Sequence, residues 1–440
     1  MPWLLNVFYI TLAAVALPWL VVRKLRTGKG VAGWREKLTG HAPDLDESSS
    51  RIWLHAVSVG EVLLLCRIVA ELKRRHPITD LVITTTTATG YDVARKEFPD
   101  HTVCFFPFDF TWAVRRAIRR LKPTAILLVE LEIWPNLLLA ASDANIPVGI
   151  VNGRLSDKSF RGYFKIKPLV SYCLKYVRGI AAQNEPYAQR FGALGYPYDR
   201  ITVTGSVKYD GLESNRDNPR TAELRHAFGI ANDDLVLIAG STQAPEEAIA
   251  LRIWRKLVAE HPRLRLILVP RHRERFEEVA KLVRAENLPL YRRSNAAIPD
   301  SRLPTPDARP ILLLDTLGEL AACWGLADIA FVGGSLTPRG GQNMIEPAAY
   351  GTPVLVGPNI QNFRETVGFL TRAKAIEIVE DEAQLTEMVR RLLQDESRRL
   401  AMGQRARQTV QNHCGATEKT MEFLEKQFSL GQIDSPRAAA

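Results

Sequence analysis

The stretch IWLHAVSVGEVLLLCRIVAELKRR, at residues 52–75, holds the pattern that decides the fold. Residues 52–57 form a short β-rich run, and apolar side chains then recur at helical spacing across residues 61–75. The same change from a β-rich run to a helical pattern repeats along most of the chain. Strands that alternate with helices are typical of a parallel sheet with both faces covered, so we predict an α/β fold.

The repeated pattern falls into two series, which are separated by a turn-prone and charged stretch at residues 203–219. The first series has runs at 52–57, 61–75, 81–86, 91–98, 125–129, 136–143 and 148–151. The second has runs at 235–239, 246–261, 264–269, 273–285, 311–314, 329–332, 346–350 and 353–356. We therefore predict two doubly wound α/β domains, at residues 40–210 and 220–430, that face a cleft. Ligands of such sheets bind beyond the carboxyl ends of the strands.

An apolar segment precedes the first domain. Residues 2–22 are apolar with only Asn6 and Thr11 as breaks, and about 20 such residues reach across a bilayer core. Four basic residues follow at once, namely Arg23, Lys24, Arg26 and Lys29. By the positive-inside rule they keep the body on the cytoplasmic side. We predict a membrane-anchor helix at residues 1–24; a helix that lies in the interface or packs on the body is the alternative.

The composition is that of a folded, enzyme-sized protein. Of 440 residues, 46% are hydrophobic and 24% are charged, which excludes a disordered chain and a polytopic membrane protein. The net charge of +10 favours anionic partners such as nucleotide phosphates or acidic lipid headgroups. Interleaved basic and aromatic residues are lacking, so we expect no nucleic-acid partner. The 5 cysteines and 8 histidines have no metal-ligand spacing, and we expect no metal.

The first candidate motif is VSVGE at residues 57–61, directly after the first predicted strand. Ser58 and Glu61 have the spacing of a capping box, in which the carboxylate bonds back to the start of the helix. In the alternative interpretation, a carboxylate at a strand end takes a proton from a bound hydroxyl as a general base. The spacing alone favours the cap.

Two acids and a lysine are further candidates in the first half. Glu130 and Glu132 come immediately after the predicted strand at 125–129. They either decorate the positive end of the following helix or position a substrate or another catalytic group. Lys208, in the sequence TGSVK that closes this half, is a surface lysine or a cation aimed at a phosphate. Its position at the join between the domains favours the second interpretation.

Two candidate sites in the second half follow predicted strands. Arg271 comes after the strand at 264–269, and its rigid donor fork suits a phosphate. Residues 315–320 pass from a strand end into a helix start, where free backbone N–H groups can meet a base edge or a phosphate.

A glycine-rich stretch is the most informative part of the second half. The glycine pairs at 333–334 and 340–341 allow the backbone to approach a phosphate closely. A helix predicted to begin near Asn343 directs its N-terminal dipole at that phosphate, and Glu346 is a candidate for binding a ribose diol. We predict a nucleotide site here, although the stretch matches neither the dinucleotide motif G-x-G-x-x-G nor the P-loop.

Six motifs in order resemble those of the 3-deoxy-D-manno-octulosonic acid (Kdo) transferases, which glycosylate lipid A and have the glycosyltransferase-B fold. They are HAVSVGE at 55–61, ELEIWPN at 130–136, NGRLS at 152–156, TGSVK at 204–208, VPRH at 269–272 and GGQNMIEP at 340–347. With the apolar N-terminal segment, the resemblance covers nearly the whole chain. Gln342 departs from the family pattern, because members commonly carry histidine there. Leu131 replaces a residue that is usually small and polar.

The resemblance implies transfer of Kdo from CMP-Kdo to a hydroxyl of the tetra-acylated lipid A precursor in lipopolysaccharide biosynthesis, with inversion and release of CMP. It implies an acceptor-binding Rossmann-like domain followed by a CMP-sugar-binding one. By matching motif positions, Glu61 looks like the proton acceptor, which overturns the preference for a cap alone, and Glu130 and Lys208 look like transition-state stabilisers. The implied CMP-binding residues are Pro270, Arg271, Gly318, Glu319, Leu320, Asn343, Met344, Ile345 and Glu346.

We expect no cofactor, with CMP-Kdo as the donor substrate and the membrane surface and the lipid A precursor as partners. The expected location is the bacterial inner membrane, with a single N-terminal anchor and the catalytic domains facing the cytoplasm. Two alternatives stay open. One is another glycosyltransferase-B enzyme or an epimerase that uses a UDP-sugar, and the other is a membrane-tethered nucleotide-binding scaffold without catalysis.

Overall fold

The structure, a computed structural model, describes residues 2–27, 32–48, 50–297 and 309–428. The described residues divide into two compact units, one formed by those up to Asp210 together with those from Cys414 onward, and the other by Gly211–His413. Within these residues, each unit contains a seven-stranded sheet whose neighbouring strands are all parallel. The predicted α/β class with two parallel sheets is confirmed.

In the first unit, a long N-terminal helix comes first, and strands and helices then alternate along the chain. Its strands are β1 (Arg51–His55), β2 (Asp80–Thr85), β3 (Thr102–Phe105), β4 (Ala125–Val129), β5 (Val148–Gly153), β6 (Val177–Ala182) and β7 (Ile201–Val203). They are ordered β3-β2-β1-β4-β5-β6-β7 in the sheet. The helices up to Asp210 are α1 (Pro2–Thr27), α2 (Trp34–Thr39), α3 (Val59–Arg75), α4 (Ala88–Glu97), α5 (Thr111–Leu121), α6 (Pro135–Asp143), α7 (Asp157–Lys165), α8 (Lys167–Leu174) and α9 (Glu185–Ala193).

The central strands of this sheet are buried on both faces. Along β1, Trp53 packs into one apolar layer, whereas Ile52 and Leu54 pack into the other. Every residue of β1 and of β4 is buried, as expected for a parallel sheet that helices cover on both sides. Because the strands all run the same way, the loops that follow β1, β4, β5 and β7 leave the sheet at one edge.

The second unit repeats this architecture. Its strands are β8 (Leu235–Thr242), β9 (Leu264–Pro270), β10 (Leu290–Arg292), β11 (Ile311–Leu313), β12 (Ile329–Val332), β13 (Val354–Val356) and β14 (Ile376–Ile378). They are ordered β10-β11-β9-β8-β12-β13-β14. The helices are α10 (Pro219–Ala227), α11 (Glu246–Leu257), α12 (Phe276–Ala285), α13 (Leu320–Cys323), α14 (Ile345–Ala349), α15 (Arg364–Arg372), α16 (Glu382–Gln394) and α17 (Glu396–Gln411).

Helix α18 (Ala416–Phe428) returns the chain to the first unit. Phe423 and Phe428 are buried in its core. Two glycines of the first sheet make room for these rings, since a Cβ atom at Gly149 would lie 2.5 Å from the Phe428 ring and one at Gly179 would lie 2.9 Å from the Phe423 ring. The helix therefore packs on the strands β5 and β6.

Asp210 fixes the start of this returning helix. Its carboxylate accepts hydrogen bonds from the Gly415 N–H (2.6 Å) and from the Thr417 hydroxyl (2.6 Å). The predicted second domain, at residues 220–430, differs from this division, because residues from Cys414 onward lie with the first unit. The local apolar pattern of α18 does not reveal which sheet it covers.

Helix α1 contains the apolar N-terminal segment, with Pro18 inside the helix. Trp3 and Val15 are each 74% exposed, whereas the polar Asn6 is only 2% exposed. Among the residues that the structure describes, no helix is both long and apolar enough to cross a membrane. The membrane anchor at residues 1–24 therefore stays a prediction, and Lys29 of its basic flank lies outside the described residues.

Candidate active site

Glu61 lies where the chain leaves β1 and enters α3. Its carboxylate accepts hydrogen bonds from the Val57 backbone N–H (2.8 Å) and from the Ser58 hydroxyl (2.7 Å), and the Ser58 oxygen accepts one from the Glu61 N–H (3.4 Å). A capping box is thus present. The same bonds hold the carboxylate at the carboxyl edge of the sheet, so the cap is compatible with a chemical role.

The surroundings of Glu61 suit a general base. Burial is the main influence and raises the pKa of its carboxyl group, while the hydrogen bonds from Ser58 and Val57 lower it and the charge of Glu130 raises it. The net pKa is above the ordinary value, and a carboxylate with a raised pKa accepts a proton more readily.

Glu130 and Lys208, which belong to separate sequence motifs, lie close together. The Lys208 ammonium is 3.3 Å from a Glu130 carboxylate oxygen. Glu130 follows β4 with a φ angle of +61°, which is uncommon for a residue other than glycine, and its N–H donates to the Val151 carbonyl (3.0 Å) of β5. A conformation of this kind is held by its surroundings and often marks a functional site.

The turn that carries Lys208 is fastened to the neighbouring strand. Asn152, near the end of β5, is fully buried and has a φ angle of +51°. Its side-chain oxygen accepts a hydrogen bond from the Val207 N–H (3.1 Å), which directly precedes Lys208. The end of β5 and the loops after β4 and β7 therefore place the ion pair.

Glu132 is the second of the two candidate acids after β4, and the family resemblance assigned it no role. Burial raises the pKa of its carboxyl group to about 7, and the charges of Glu61 and Glu130 add to this effect. Three carboxyl groups are thus close enough to influence one another. The sequence does mark this position, because Glu130 and Glu132 directly follow a buried strand. It does not show how deeply Glu132 is buried.

His55, in the same motif as Glu61, has a structural role. It is fully buried, and its ring stacks on Phe106 with the ring centres 3.7 Å apart. Burial lowers the pKa of the imidazole to about 3, so the ring is neutral at physiological pH. His55 therefore supports the loop between β1 and α3 by packing, and it adds no charge beside that of Glu61.

In the second unit, Arg271 and Glu346 form the centre of the predicted nucleotide site. Arg271 is exposed and directly follows Pro270, the last residue of β9. The Asn343 amide donates a hydrogen bond to the Glu346 carboxylate (2.9 Å) and accepts one from the Ile345 N–H (3.1 Å). Burial raises the pKa of Glu346, while Asn343 and the nearby charge of Arg271 lower it. The Arg271 charge therefore lies within electrostatic reach of Glu346.

The helix expected near Asn343 is short. It is α14, which has five residues, and Met344 and Ile345 at its start are buried with 0% and 3% exposure. Their side chains belong to the core, so only their backbone groups are open to a ligand. A long helix dipole directed at a phosphate is therefore not available here.

The segment 315–320 is the third predicted nucleotide contact. Gly318 has a φ angle of +85° and open space around it. The Glu319 carboxylate accepts hydrogen bonds from the Arg293 guanidinium (2.9 Å) and from the Thr316 hydroxyl, and Leu320 begins α13. The Glu319 side chain is thus occupied within the unit, which leaves the backbone around Gly318 to meet a ligand.

The glycine pair at 333–334 holds an anion of the protein itself. The Glu246 carboxylate is fully buried and accepts hydrogen bonds from four backbone N–H groups, at 2.7–3.0 Å; the donors are Gln243, Gly334, Ser335 and Leu336. The expected phosphate contact by the backbone N–H groups of this pair is therefore wrong, because the Gly334 N–H binds Glu246 and the Gly333 N–H donates to the Gly240 carbonyl (2.8 Å). Gln342 lies beside Gly334, since a Cβ atom at that glycine would be 3.2 Å from the Gln342 amide nitrogen.

A cavity of about 830 Å³ opens among the loops that follow β8, β9 and β12. It is lined by Gln243, Ala244, Pro245, His272, Arg275, Leu336, Thr337, Pro338 and Arg339. A volume of this order accommodates a small-molecule ligand. The cavity lies at the carboxyl edge of the second sheet, where the fold places ligands.

Comparison with known proteins identifies the family. Residues 32–211 match the family model described as 3-deoxy-D-manno-octulosonic-acid transferase, and residues 325–425 match a model described as glycosyl transferase-like. A 3-deoxy-D-manno-octulosonic acid transferase of Haemophilus influenzae is 34% identical over 85% of this chain and 86% of its own length. The enzyme of the same name from Bordetella pertussis is 35% identical, with the same coverage of 85% and 86%.

Solved structures show the same fold at lower identity. A UDP-GlcNAc 2-epimerase from Neisseria meningitidis, bound to UDP-GlcNAc, matches with a TM-score of 0.60 at 15% identity, over 86% of this chain and all of its own. A glycosyltransferase from Rickettsia africae matches with a TM-score of 0.57 at 15% identity, over 88% of this chain and 100% of its own. The fold is thus of the glycosyltransferase-B type. The chain is a glycosyltransferase and belongs to the family of 3-deoxy-D-manno-octulosonic acid transferases of lipopolysaccharide biosynthesis.

Proposed function

We propose that the protein transfers Kdo from CMP-Kdo to a hydroxyl group of the tetra-acylated lipid A precursor, with inversion at the anomeric carbon. Membership of the family supports the sugar that is transferred. The observation that carries the proposal is the position of Glu61, a part-buried carboxylate held by two hydrogen bonds near the Glu130–Lys208 ion pair. Attack by a neutral hydroxyl needs a base of this kind.

In the proposed reaction, the acceptor oxygen forms a bond to the anomeric carbon of Kdo on the face opposite the phosphate. The bond from that carbon to the phosphate oxygen breaks, and its electron pair leaves with CMP. Glu61 takes the proton of the acceptor hydroxyl. Because Val57 and Ser58 already hold the Glu61 carboxylate, little reorganisation is needed when the reaction occurs.

Lys208 and Glu130 are proposed to stabilise the charges that develop in the transition state. The Lys208 ammonium offsets the negative charge on the departing phosphate, and Glu130 faces the positive charge on the sugar ring. Their separation of 3.3 Å shows that each already restrains the other. A pre-oriented cation avoids part of the cost of ordering its flexible side chain.

The donor nucleotide is proposed to bind the second unit. Arg271 contacts the phosphate, and Glu346, oriented by Asn343, binds the ribose hydroxyls. Pro270, Gly318, Glu319, Leu320, Met344 and Ile345 complete the proposed CMP site. Met344 and Ile345 contribute backbone groups, because their side chains are buried.

We propose that α1 keeps the protein at the bacterial inner membrane with both units on the cytoplasmic side. An acceptor with four acyl chains stays in the membrane, so its enzyme must work at the surface. The exposed side chains of Trp3 and Val15 suit contact with lipid. We also propose that the reaction needs no metal ion or other cofactor.

The test is a transfer assay with purified full-length protein, the tetra-acylated precursor and freshly generated CMP-Kdo, with and without a chelator. We expect a mass-shifted lipid and free CMP from the wild type, and a rate at least 100-fold lower from Glu61→Gln, in line with loss of a general base. Glu97→Gln is the control, because Glu97 is an exposed acid on α4. It should match the wild type.

Four results would refute the proposal in different ways. Turnover of a UDP-sugar in place of CMP-Kdo would indicate the alternative donor. Equal rates for Glu61→Gln and the wild type would reject Glu61 as the base, and nucleotide binding without any turnover would indicate a scaffold. Loss of activity with the chelator, restored by a divalent cation, would reject the metal-independent reaction.

A further inference from the structure

Helix α1 makes a polar contact with the rest of the first unit. The Asn6 side-chain oxygen accepts hydrogen bonds from the Thr111 N–H (3.1 Å) and the Asn136 amide (3.3 Å), and its nitrogen donates to the Thr111 hydroxyl (3.0 Å). All three residues are buried. A buried polar side chain is costly unless it is bonded, so this cluster fixes α1 in one position along α5 and α6.

Tyr9, three residues later on α1, makes a second contact. Its hydroxyl donates to an Asp109 carboxylate oxygen (3.0 Å). The same carboxylate accepts hydrogen bonds from the N–H groups of Asn136 (3.0 Å) and Leu137 (2.9 Å), which are the free donors at the start of α6. Trp134, the N-cap residue of α6, supplies no side-chain cap. Asp109 therefore caps α6, and Tyr9 holds Asp109.

The start of α6 is also the end of the loop that carries Glu130 and Glu132, which we call the acidic loop (residues 130–134). That loop has one anchor at β4, where the Glu130 N–H donates to Val151 (3.0 Å), and a second anchor at the capped helix. Between them, the Trp134 ring packs on Phe106 with the ring centres 5.4 Å apart. The second anchor depends on groups that α1 holds in place.

We propose that Asn6 and Tyr9 are positioning residues for the acidic loop. Helix α1 then holds the carboxylates of Glu130 and Glu132 in place, in addition to any contact that it makes with a membrane. Neither residue is near the Lys208 ion pair in sequence, and each acts through Asp109, Thr111 or Asn136. The effect on turnover rests on the proposed function. The connection between α1 and the start of α6 does not rest on that function, and it can be measured without substrate.

Amide hydrogen exchange on the full-length protein in detergent micelles tests the connection. Asn6→Ala and Tyr9→Phe should each speed exchange at Asn136 and Leu137 about tenfold, while peptides of the second unit keep the wild-type rates. Thr11→Val is the matched control, because the Thr11 hydroxyl is exposed and bonds only to Val7 (2.9 Å) within α1 among the described contacts. Wild-type exchange at the α6 start in both test variants would overturn the proposal.

Transfer kinetics with saturating acceptor in detergent test the consequence. We expect kcat to fall 3- to 10-fold in Asn6→Ala with an unchanged KM for the donor. The acidic limb of the pH profile should move to lower pH, because a loosened loop relieves the repulsion among Glu61, Glu130 and Glu132 and changes the contact with Lys208. A partly unfolded sample lowers the rate by one factor at every pH and leaves the limb in place.

The two proposals fail separately. Absence of transfer by the wild type counts against the proposed function, while the exchange rates still decide the connection between α1 and α6. A wild-type kcat and pH profile in both Asn6→Ala and Tyr9→Phe, from an enzyme that transfers Kdo, would overturn the positioning role.

Discussion

At the scale of single residues, Glu132 gives the protein a pH dependence in its stability. Burial raises the pKa of this carboxyl group from 4.5 to about 7. The folded protein therefore binds more protons than the unfolded chain between these values, and stability falls as the pH rises through this window. Glu132→Gln removes that loss. We expect the variant to be more stable than the wild type by about 1–2 kcal/mol at pH 8, after allowance for partial exposure, and to differ little at pH 4.

Urea unfolding at pH 4, 6 and 8 measures this difference. Glu97→Gln, at an exposed position of the same unit, should show no pH-dependent gain. If Glu132→Gln changed the free energy of unfolding equally at all three pH values, the raised pKa would be wrong.

The candidate residues of the first unit could be found from the sequence, but their contacts with one another and their burial could not. Glu61 has capping-box spacing, and that spacing is the same whether or not the carboxylate is also a base. Lys208 and Glu130 are far apart in the chain, and their 3.3 Å contact depends on which strands share a sheet edge. The chemistry of Glu132 depends on burial, which its neighbours in the sequence do not determine.

At the scale of elements, Glu246 links the loop after β8 to the loop after β12. Glu246→Gln replaces one acceptor oxygen by a donor group, which leaves at least one buried N–H without a partner. We expect the free energy of unfolding of the second unit to fall by about 1–3 kcal/mol and the affinity for CMP to fall with it. Thermal unfolding and calorimetric titration with CMP measure the two effects.

Glu274→Gln is the control for this variant, since Glu274 is exposed on the 3-10 turn Arg273–Arg275. It should behave as the wild type in both measurements. Unchanged stability and CMP affinity in Glu246→Gln would show that the four hydrogen bonds do not organise the loops.

Elements with continuous apolar runs were the easiest to predict. The runs at 125–129 and 329–332 match β4 and β12 residue for residue. Helix α5 was not predicted, because its arginines obscure a buried face formed by residues such as Val114 and Ile118. Strand β3 was missed because it is only four residues long and not continuously apolar. Short elements take their structure from the neighbours they pair with.

At the scale of the whole molecule, α18 makes the first unit depend on the far end of the described chain. Phe423 is buried against Gly179, so Phe423→Ala leaves a cavity in the first unit. We expect a loss of about 3–4 kcal/mol in the stability of that unit. Hydrogen exchange should become faster in β5 and β6 and stay unchanged in β8 and β9.

Glu422→Ala is the control, because Glu422 is the exposed neighbour of Phe423 on the same helix. Equal loss of protection in both sheets would contradict the division of the described residues into two units. Wild-type exchange throughout would show that α18 contributes little to the first core.

The division into two α/β units was largely readable from the sequence, because the alternating pattern breaks at 203–219. The return of α18 to the first unit was not readable, since the spacing of its apolar residues does not show which of the two sheets it covers. The placement depends on the small size of Gly149 and Gly179, and those glycines acquire meaning only when the partner helix is known.

The return of α18 also sets the order in which the nascent protein can mature. The ribosome releases β1–β7 first, then all of Gly211–His413, and only then the helix that covers β5 and β6. About 200 residues separate Asp210 from α18, which at roughly 5–20 residues per second is a delay of about 10–40 seconds. Until α18 has been made, the strands β5 and β6 of the first unit keep an uncovered apolar surface. Apolar surface exposed in this way is prone to aggregation until the helix arrives.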